Sequence, residues 1–418
     1  MQKSTAMADI CVIGGGAAGM TAAVFAAEAG AKVTLLEGNR FCGKKLRITG
    51  KGRCNVTNNC DVRQFLTNVP VNGKFLYSAL TAFPPRETMA WFEKLGVPLK
   101  TERGNRVFPV SDNAHDVAGA LERAMRRAGV KVVNEKAAEP DVAAGALRGV
   151  RTESGVLPCA AAIVCTGGLS YPLTGSTGDG YAFARAAGHT VDECRPSLVP
   201  LESPDWYCRA MQGFAPRNVV LNVYDKRDKL VFSELGEMLF THFGISGPLV
   251  LSASAHMRAD GEPYRLSIDF KPALDEKKLD ERILRDLQKF KNRAIGNALE
   301  ELTVKSMIPV LVSLSGIPPE TQANAVTKQQ RRALLELLKS FPVRISGTRP
   351  IAEAIVTSGG VAVGEINPRT MCSRLVKGLY FAGEVLDVDA FTGGFNLQIA
   401  WSTGRLAGIS AAKEIVGT

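Results

Sequence analysis

No pair among the nine cysteines has C-x-x-C spacing, and no cysteine cluster has a histidine at zinc-ligand spacing. That removes the usual dithiol and zinc signatures, so no metal site is expected. The cysteines read as reduced, small apolar fillers of a cytoplasmic protein. Basic tracts are also missing. The net charge is +10, yet runs such as Arg126-Arg127, Lys226-Arg227 and Arg331-Arg332 never reach five residues. Charge spread in this way favours solubility and draws anionic ligands mildly; by itself it does not argue for a nucleic-acid partner. One apolar stretch, residues 10–29, is long enough to suggest a span or leader, but it holds Gly14, Gly15, Gly16 and Gly19 and ends near Glu28. Glycines crowded at one point mark a turn, so no membrane association and no targeting segment are expected. Repeats are absent as well.

What is present is an ordinary globular composition over 418 residues, 45% hydrophobic and 22% charged, enough for two or three domains. Residues 10–13 are a short apolar strand, residues 17–29 an alanine-rich helix, and residues 32–36 a second strand closed by Glu37. Residues 39–60, rich in Gly, Lys, Arg and Asn, read as a loop. A helix is expected over residues 113–129, a short strand over 130–133, and a further strand over 160–165 that runs into Thr166-Gly167-Gly168. Near Pro196 the texture changes to short β-like runs, with a hairpin around residues 225–228, and from Asp275 to about Ser340 it becomes helical and charged. The expected class is α/β: a discontinuous Rossmann-type domain of residues 1–195 and 342–418, an inserted β domain of 196–274 and a helical subdomain of 275–341.

Gly14-x-Gly16-x-x-Gly19 lies between the first strand and the first helix. Its glycines allow a sharp turn, close approach of backbone to a pyrophosphate and tight helix–strand packing. The helix then turns its free N–H groups, including those of Ala17 and Ala18, and its positive dipole end toward the phosphates. Glu37, 23 residues after Gly14, is placed to accept from ribose hydroxyls. Far downstream, an apolar strand ends at Gly383-Glu384, with Asp387 and Asp389 behind it, followed by Gly393-Gly394-Phe395-Asn396 and an alanine-rich helix. A carboxylate there suits ribityl hydroxyls or the loop that holds them, and the helix start suits the flavin edge where charge develops on reduction. A long FAD molecule needs this second contact; a nicotinamide dehydrogenase does not.

Several long stretches carry a resemblance: residues 43–46 with 50–58, 166–172 with 175–180, 239–248, and 383–404. On these the chain resembles the BaiN/YhiN-like bacterial FAD-dependent oxidoreductases of the glutathione-reductase-like superfamily. Cys372 and Arg374 depart from it, standing where the family has an acidic residue and a lysine. The resemblance implies a loop of Lys45, Arg53, Cys54 and Asn55 against FAD, and it brings Asp179 into the site. Cationic Lys45 and Arg53 suit the pyrophosphate, and Asn55 suits the flavin or its ribityl chain. Thr166, Gly167 and Gly168 would pass under the adenosine, where small residues permit close approach. Cys54 is read as packing or flavin contact, because a thiol relay needs a second cysteine and the nearest, Cys60, is six residues away. His242 is read as structural.

The expected activity is hydride transfer between a small organic substrate and FAD, with the substrate bound between the FAD domain and the insertion. NAD(P)H would act as a transient reductant, since no second glycine fingerprint follows a strand. A tRNA-modifying flavoprotein, a flavin-dependent amine oxidase and a non-catalytic redox sensor stay open. The catalytic acid or base, the substrate and the oligomeric state are not read from the sequence.

Overall fold

The computed structural model describes residues 8–257 and 264–417. Its backbone separates into two units, residues 1–197 with 354–418, and residues 198–353.

The first unit is built on a mainly parallel sheet. Strand β1 (Ala8–Ile13) is buried along nearly its whole length, which is why it reads as an unbroken apolar run rather than an alternating one. Helix α1 (Ala17–Glu28) returns the chain to β2 (Val33–Leu36), which pairs in parallel with β1, Ile13 opposite Leu36. Strand β3 (Lys131–Val133) adds beside β2. Strand β4 (Gly155–Val164) lies on the other side of β1, Val164 opposite Ile13, and its first half also pairs with a hairpin of Ala137–Ala143 and Ala146–Thr152. Helix α2 (Asp179–Ala186) follows. Strand β5 (Leu379–Phe381) completes the order beside β4, Phe381 opposite Val164, and α3 (Phe395–Val416) closes the unit.

Thus the carboxyl ends of β1, β2, β4 and β5 stand in register at one edge. Gly14, Glu37, Cys165-Thr166 and Ala382-Gly383 step off that edge side by side. In an open α/β sheet this is where ligands are received.

The second unit has its own core. A four-stranded antiparallel sheet runs in the order Leu230–Gly236, Val219–Tyr224, Arg265–Asp269, Phe341–Arg344, and its first two strands form the hairpin expected around residues 225–228. Leu221, Ile268 and Phe341 of that sheet pack with Leu279, Ile283 and Leu334 of the helices Glu276–Lys289 and Lys328–Lys339. Both helices are amphipathic and have side-chain caps, Asp275 on the Lys278 N–H and Thr327 on the Gln330 N–H. The composition change near residue 342 falls inside this sheet. Residues 341–344 pair with 265–268, and Gly347-Thr348 pairs with Leu201-Glu202, so the chain re-enters the first unit only after Glu353.

Candidate functional site

The glycine turn after β1 forms because only glycine fits it. Gly14 has φ +100, and a Cβ there would lie 2.6 Å from the Cys165 carbonyl oxygen of the neighbouring strand end. A Cβ on Gly19 would sit 1.8 Å from the Gly14 oxygen. Gly16, by contrast, has nothing within 4 Å, so open space lies over the helix start. Helix α1 begins without a side-chain cap, and its first internal bond is from the Met20 N–H to the Gly16 oxygen. The N–H groups of Ala17, Ala18 and Gly19 are therefore unused inside the helix. Glu37 braces the turn: Oε2 accepts from the Gly15 N–H (2.8 Å), and Oε1 accepts from the Asn39 N–H and Nδ2 (2.7 Å each). An acceptor position on Oε2 remains for a hydroxyl.

The loop after β2 comes back over this turn. The Gly43 N–H donates to the Gly15 oxygen (2.8 Å), and two residues on, Lys45 Nζ donates to Ser170 Oγ (2.6 Å) and Glu384 Oε2 (2.8 Å). Glu384 Oε1 accepts in turn from Ser170 Oγ (3.0 Å) and the Thr357 N–H (2.9 Å). Lys45, Glu384, Ser170 and Thr357 thus form one network against Gly167 and Gly168, where an added Cβ would meet Ser176 Oγ at 2.9 Å and Thr357 Oγ1 at 2.4 Å. Thr166 Oγ1 is buried with no hydrogen-bond partner among the described residues. Asp389 Oδ2 accepts from Ser197 Oγ (2.7 Å), while its buried Oδ1 meets no hydrogen-bond criterion with any described residue, and burial raises this carboxyl above its ordinary value.

A second cluster surrounds the start of α3, whose Gly394 cap has φ +99 and no side-chain cap bond. Asn55, with its amide oriented by the network, accepts from the Gly394 N–H (3.0 Å) and donates to the Thr57 and Val107 oxygens. Asn58 Nδ2 holds the Gly393 oxygen (3.0 Å), and Thr57 Oγ1 donates to Gln398 Oε1 (2.6 Å). Gln398 Nε2 reaches Thr88, Phe83 and Ser402, and the Trp401 indole donates to the Val56 oxygen. Phe395 is buried edge-on against Phe65. Asn396 binds the backbone of Ala390 through both amide atoms, so it shapes the loop from Asp389 into the helix.

The two clusters are joined by α1 and α3 packing backbone to backbone. A Cβ on Gly404 would lie 2.4 Å from the Ala18 oxygen, and one on Gly408 would lie 2.4 Å from the Ala22 oxygen. The helices therefore run in the same sense, with α3 starting eight residues ahead of α1, a lead of roughly 12 Å at 1.5 Å per residue. Gly383 also lies close to Ala18.

These features fit FAD. Two uncapped helix starts about a dozen ångströms apart suit the pyrophosphate and the isoalloxazine edge of one extended molecule. The buried, unpartnered oxygens of Thr166 and Asp389 supply polar groups that a polar ligand can satisfy.

Three further sequence candidates have other partners within the chain. Arg53 donates to Asp112 Oδ1 (2.6 Å) and pairs with Glu102, and its guanidinium lies 4.1 Å from the Phe108 ring centroid, so its charge is matched by these two carboxylates. Cys54 is fully buried at φ +59, and burial pushes its thiol up to about 12. Asp179 pairs with Lys136 (3.0 Å) and Thr177 at the start of α2, while Gly180 beside it packs on Thr166. His242 stands edge-on to Phe243 in the second unit. Among the described residues no cluster of three or more His, Cys, Asp or Glu is placed to hold a metal, and no helix is long and apolar enough to cross a membrane. Sequence reasoning missed Asn39, Asn58, Ser170, Thr357 and Gln398 as site-building residues. Asn58, Ser170 and Gln398 lie inside the resemblance stretches, whereas nothing local marks Thr357.

Comparison with known proteins bears on the same residues. The family model described as HI0933-like protein Rossmann domain matches residues 8–410. A 3-dehydro-bile acid delta(4,6)-reductase of Clostridium scindens is 33% identical over 414 residues, 98% of this chain and 100% of that protein. A ribosomal RNA dihydrouridine synthase of Escherichia coli is 31% identical over 404 residues, 94% of this chain and 96% of that protein. In fold, the chain is similar to the 3-ketosteroid delta1-dehydrogenase of Sterolibacterium denitrificans, with a TM-score of 0.53 at 13% identity over 98% of this chain and 100% of the other.

Proposed function

The chain belongs to the HI0933-like family with its Rossmann domain and is an FAD-dependent oxidoreductase, and we propose that it adds hydrogen across a carbon–carbon double bond conjugated to a carbonyl group. The names of the two relatives share that chemistry, since one denotes a reductase of ring double bonds and the other a synthase of a saturated pyrimidine ring. FAD, when bound, supplies the hydride-carrying step between a reductant, for which we propose NAD(P)H, and the double bond. The overall change consumes one hydride from NAD(P)H and one proton, and it leaves a saturated C–C bond and NAD(P)+.

The chain's own part is to bind and tune. The N–H groups of Ala17, Ala18 and Gly19 would take the pyrophosphate, Glu37 the adenosine ribose, and Thr166, Gly167 and Gly168 the adenosine face. The Lys45–Glu384–Ser170 network would fix the ribityl side. The observation that carries the reading is the offset pair of uncapped helix starts. The start of α3 would offer the N–H groups of Phe395, Asn396 and Leu397 to the flavin edge where charge develops on reduction, and Asn55 holds that start through the Gly394 N–H.

A second reading, an RNA substrate for the same reduction, has one observation in its favour, the name of the Escherichia coli relative. The test is anaerobic. Flavin absorption of the purified protein is bleached with NADH or NADPH in a stopped-flow mixer; then a steroid 4-en-3-one, a uridine-containing ribosomal RNA fragment or benzylamine is added. Reoxidation by the enone supports the small-molecule reading, and reoxidation by RNA alone supports the second. Bleaching of the oxidised protein by benzylamine, with peroxide released in air, would replace both with an amine oxidase. Failure of either nicotinamide to bleach the flavin would remove the proposed reductant.

A further inference from the structure

The second unit contains a cleft of about 360 Å3 that has no part in the flavin site. It lies where its sheet meets its helical part, bounded by residues 214–219 leading into strand Val219–Tyr224, by Phe270 and Lys271 after strand Arg265–Asp269, and by residues 301–304 ahead of helix Ile308–Leu314. Its floor is apolar. Val219, Leu302 and Phe270 are buried, and Phe214 is half-buried, stacked on Phe240 at 5.9 Å and 5° and near-parallel to Phe270 at 6.0 Å and 20°. The volume lies within the range of small-molecule sites, and a few polar groups beside an apolar floor are what such sites use to orient a ligand.

The polar groups here are mainly cationic. Lys271 is half-buried in the cleft wall; its backbone N–H binds Asp269 and its carbonyl accepts from Lys339, but its ammonium has no hydrogen-bond or ion partner among the described residues. Burial first, and then the nearby Arg282, push that amine below the ordinary lysine value against a smaller opposing pull from the Asp286 carboxylate. Arg217, exposed at the rim, is likewise without a side-chain partner among the described residues. The carboxylate of the wall, Glu301, is taken by Lys289 at 2.7 and 2.9 Å, and the nearby Asp286 is taken by Arg282 at 2.7 Å. The cleft lining therefore holds two cations, Lys271 and Arg217, against one carboxylate, Glu301, that is already paired, and a half-buried ammonium without a hydrogen-bonded acceptor is a group that a ligand carboxylate can complete.

We infer that this cleft binds a small aromatic or polycyclic carboxylate, its ring system on Phe214 and Phe270 and its carboxylate on Lys271 and Arg217. The site is separate from the proposed reduction and does not depend on it. The probe is 2-naphthoate, titrated calorimetrically into the FAD-loaded full chain, with the uncharged 2-naphthamide as its partner. The naphthoate is expected to bind at one saturable site about tenfold more tightly than the amide, the difference one charge-assisted contact makes. Lys271→Met should reduce the naphthoate affinity to that of the amide and leave the amide unchanged. Val304→Trp, at the exposed rim, should abolish both while flavin content and melting temperature stay as in the wild type. The assignment is overturned by absent saturable binding, by equal affinity of the two probes, or by variants that bind naphthoate as the wild type does.

Discussion

Gly404→Ala separates two effects of opposite sign. Gly404 is helical within α3, so on propensity alone alanine stabilises the helix by about 1 kcal/mol. Packing argues the other way. The new methyl would lie 2.4 Å from the Ala18 oxygen and 3.1 Å from its carbonyl carbon, against ordinary contact at 3.4–4 Å. The obstacle is backbone, so α1 and α3 must separate by about 1 Å at their closest approach. Overpacking of this kind costs about 1–3 kcal/mol, which against the propensity gain leaves a net loss of up to about 2 kcal/mol. For a unit of this size that lowers the melting temperature by up to about 4 °C. Because the spacing of the two helix starts is set at this crossing, flavin retention after gel filtration should fall as well. The control is Gly119→Ala on helix Ala114–Arg127, where the new methyl would meet only the movable end of Arg123 at 3.3 Å. That variant should be stabilised by about 0.5–1 kcal/mol. Circular-dichroism melts of the FAD-loaded proteins, with flavin per chain by absorbance, decide the matter. If Gly404→Ala melts as high as Gly119→Ala and keeps its flavin, the helix-crossing account of the site is refuted.

Glu37→Ala removes the acceptor of the buried Gly15 N–H and of the Asn39 backbone N–H at a cost of about 1–3 kcal/mol, so FAD affinity measured by fluorescence quenching should weaken at least tenfold; an unchanged affinity would remove Glu37 from the site. Cys54, with its thiol pushed up to about 12, should resist iodoacetamide at pH 8 in the folded protein. Cys54→Ala should keep flavin-reduction rates within about threefold of wild type, and a hundredfold loss would make it a reactive thiol after all. His189 is buried, hydrogen-bonded to Glu365 (3.1 Å) and Ser373 (2.8 Å), and burial holds its imidazole below the ordinary value near 6.5. Between those two values the unfolded chain binds a proton that the folded chain does not. Its contribution is therefore complete above about pH 6.5 and is lost as pH falls. The stability gap between wild type and His189→Gln should narrow from pH 7.5 to pH 5.5, and a constant gap would show that His189 does not titrate this way.

The βαβ core was legible because each of its signals is local. The glycine turn, the alanine-rich helix and the apolar strands lie within about thirty residues of one another, and their periods differ enough to be told apart. The Gly383-Glu384 strand end and the helix after Gly394 were legible for the same reason. Glu384 shows where that reading stops. A carboxylate at a strand end was expected to bind ribityl hydroxyls or the loop that holds them, and its partners are Lys45, Ser170 and Thr357, at separations of 339, 214 and 27 residues. Arg53 shows the same limit from the other side. Beside Lys51 and Gly52 it reads as a free cation, but its acceptors Glu102 and Asp112 lie 49 and 59 residues on, where no period of helix or strand connects them to it.

The glycines divide along the same line, and their division accounts for how the site is assembled. Gly14 and Gly394 are needed for their backbone conformations, φ +100 and φ +99, and each leaves a local mark in the form of a turn between two elements. Gly404 and Gly408 have ordinary helical backbone; only another helix, some 386 residues away in sequence, requires them to lack a side chain. Read singly, they are weak points in an alanine-rich helix. Read with Ala18 and Ala22, they set the closest approach of the two helices and hence the distance between the two ends of the flavin site. Residues 54–58 then fix α3 from the amino-terminal side, through Asn55 to Gly394, Asn58 to Gly393 and Thr57 to Gln398. Every one of these contacts joins a segment before the second unit to a segment after it. The proposed flavin site is therefore assembled from the two chain ends together, with the glycine turn after β1 and the start of α3 held to each other by these contacts.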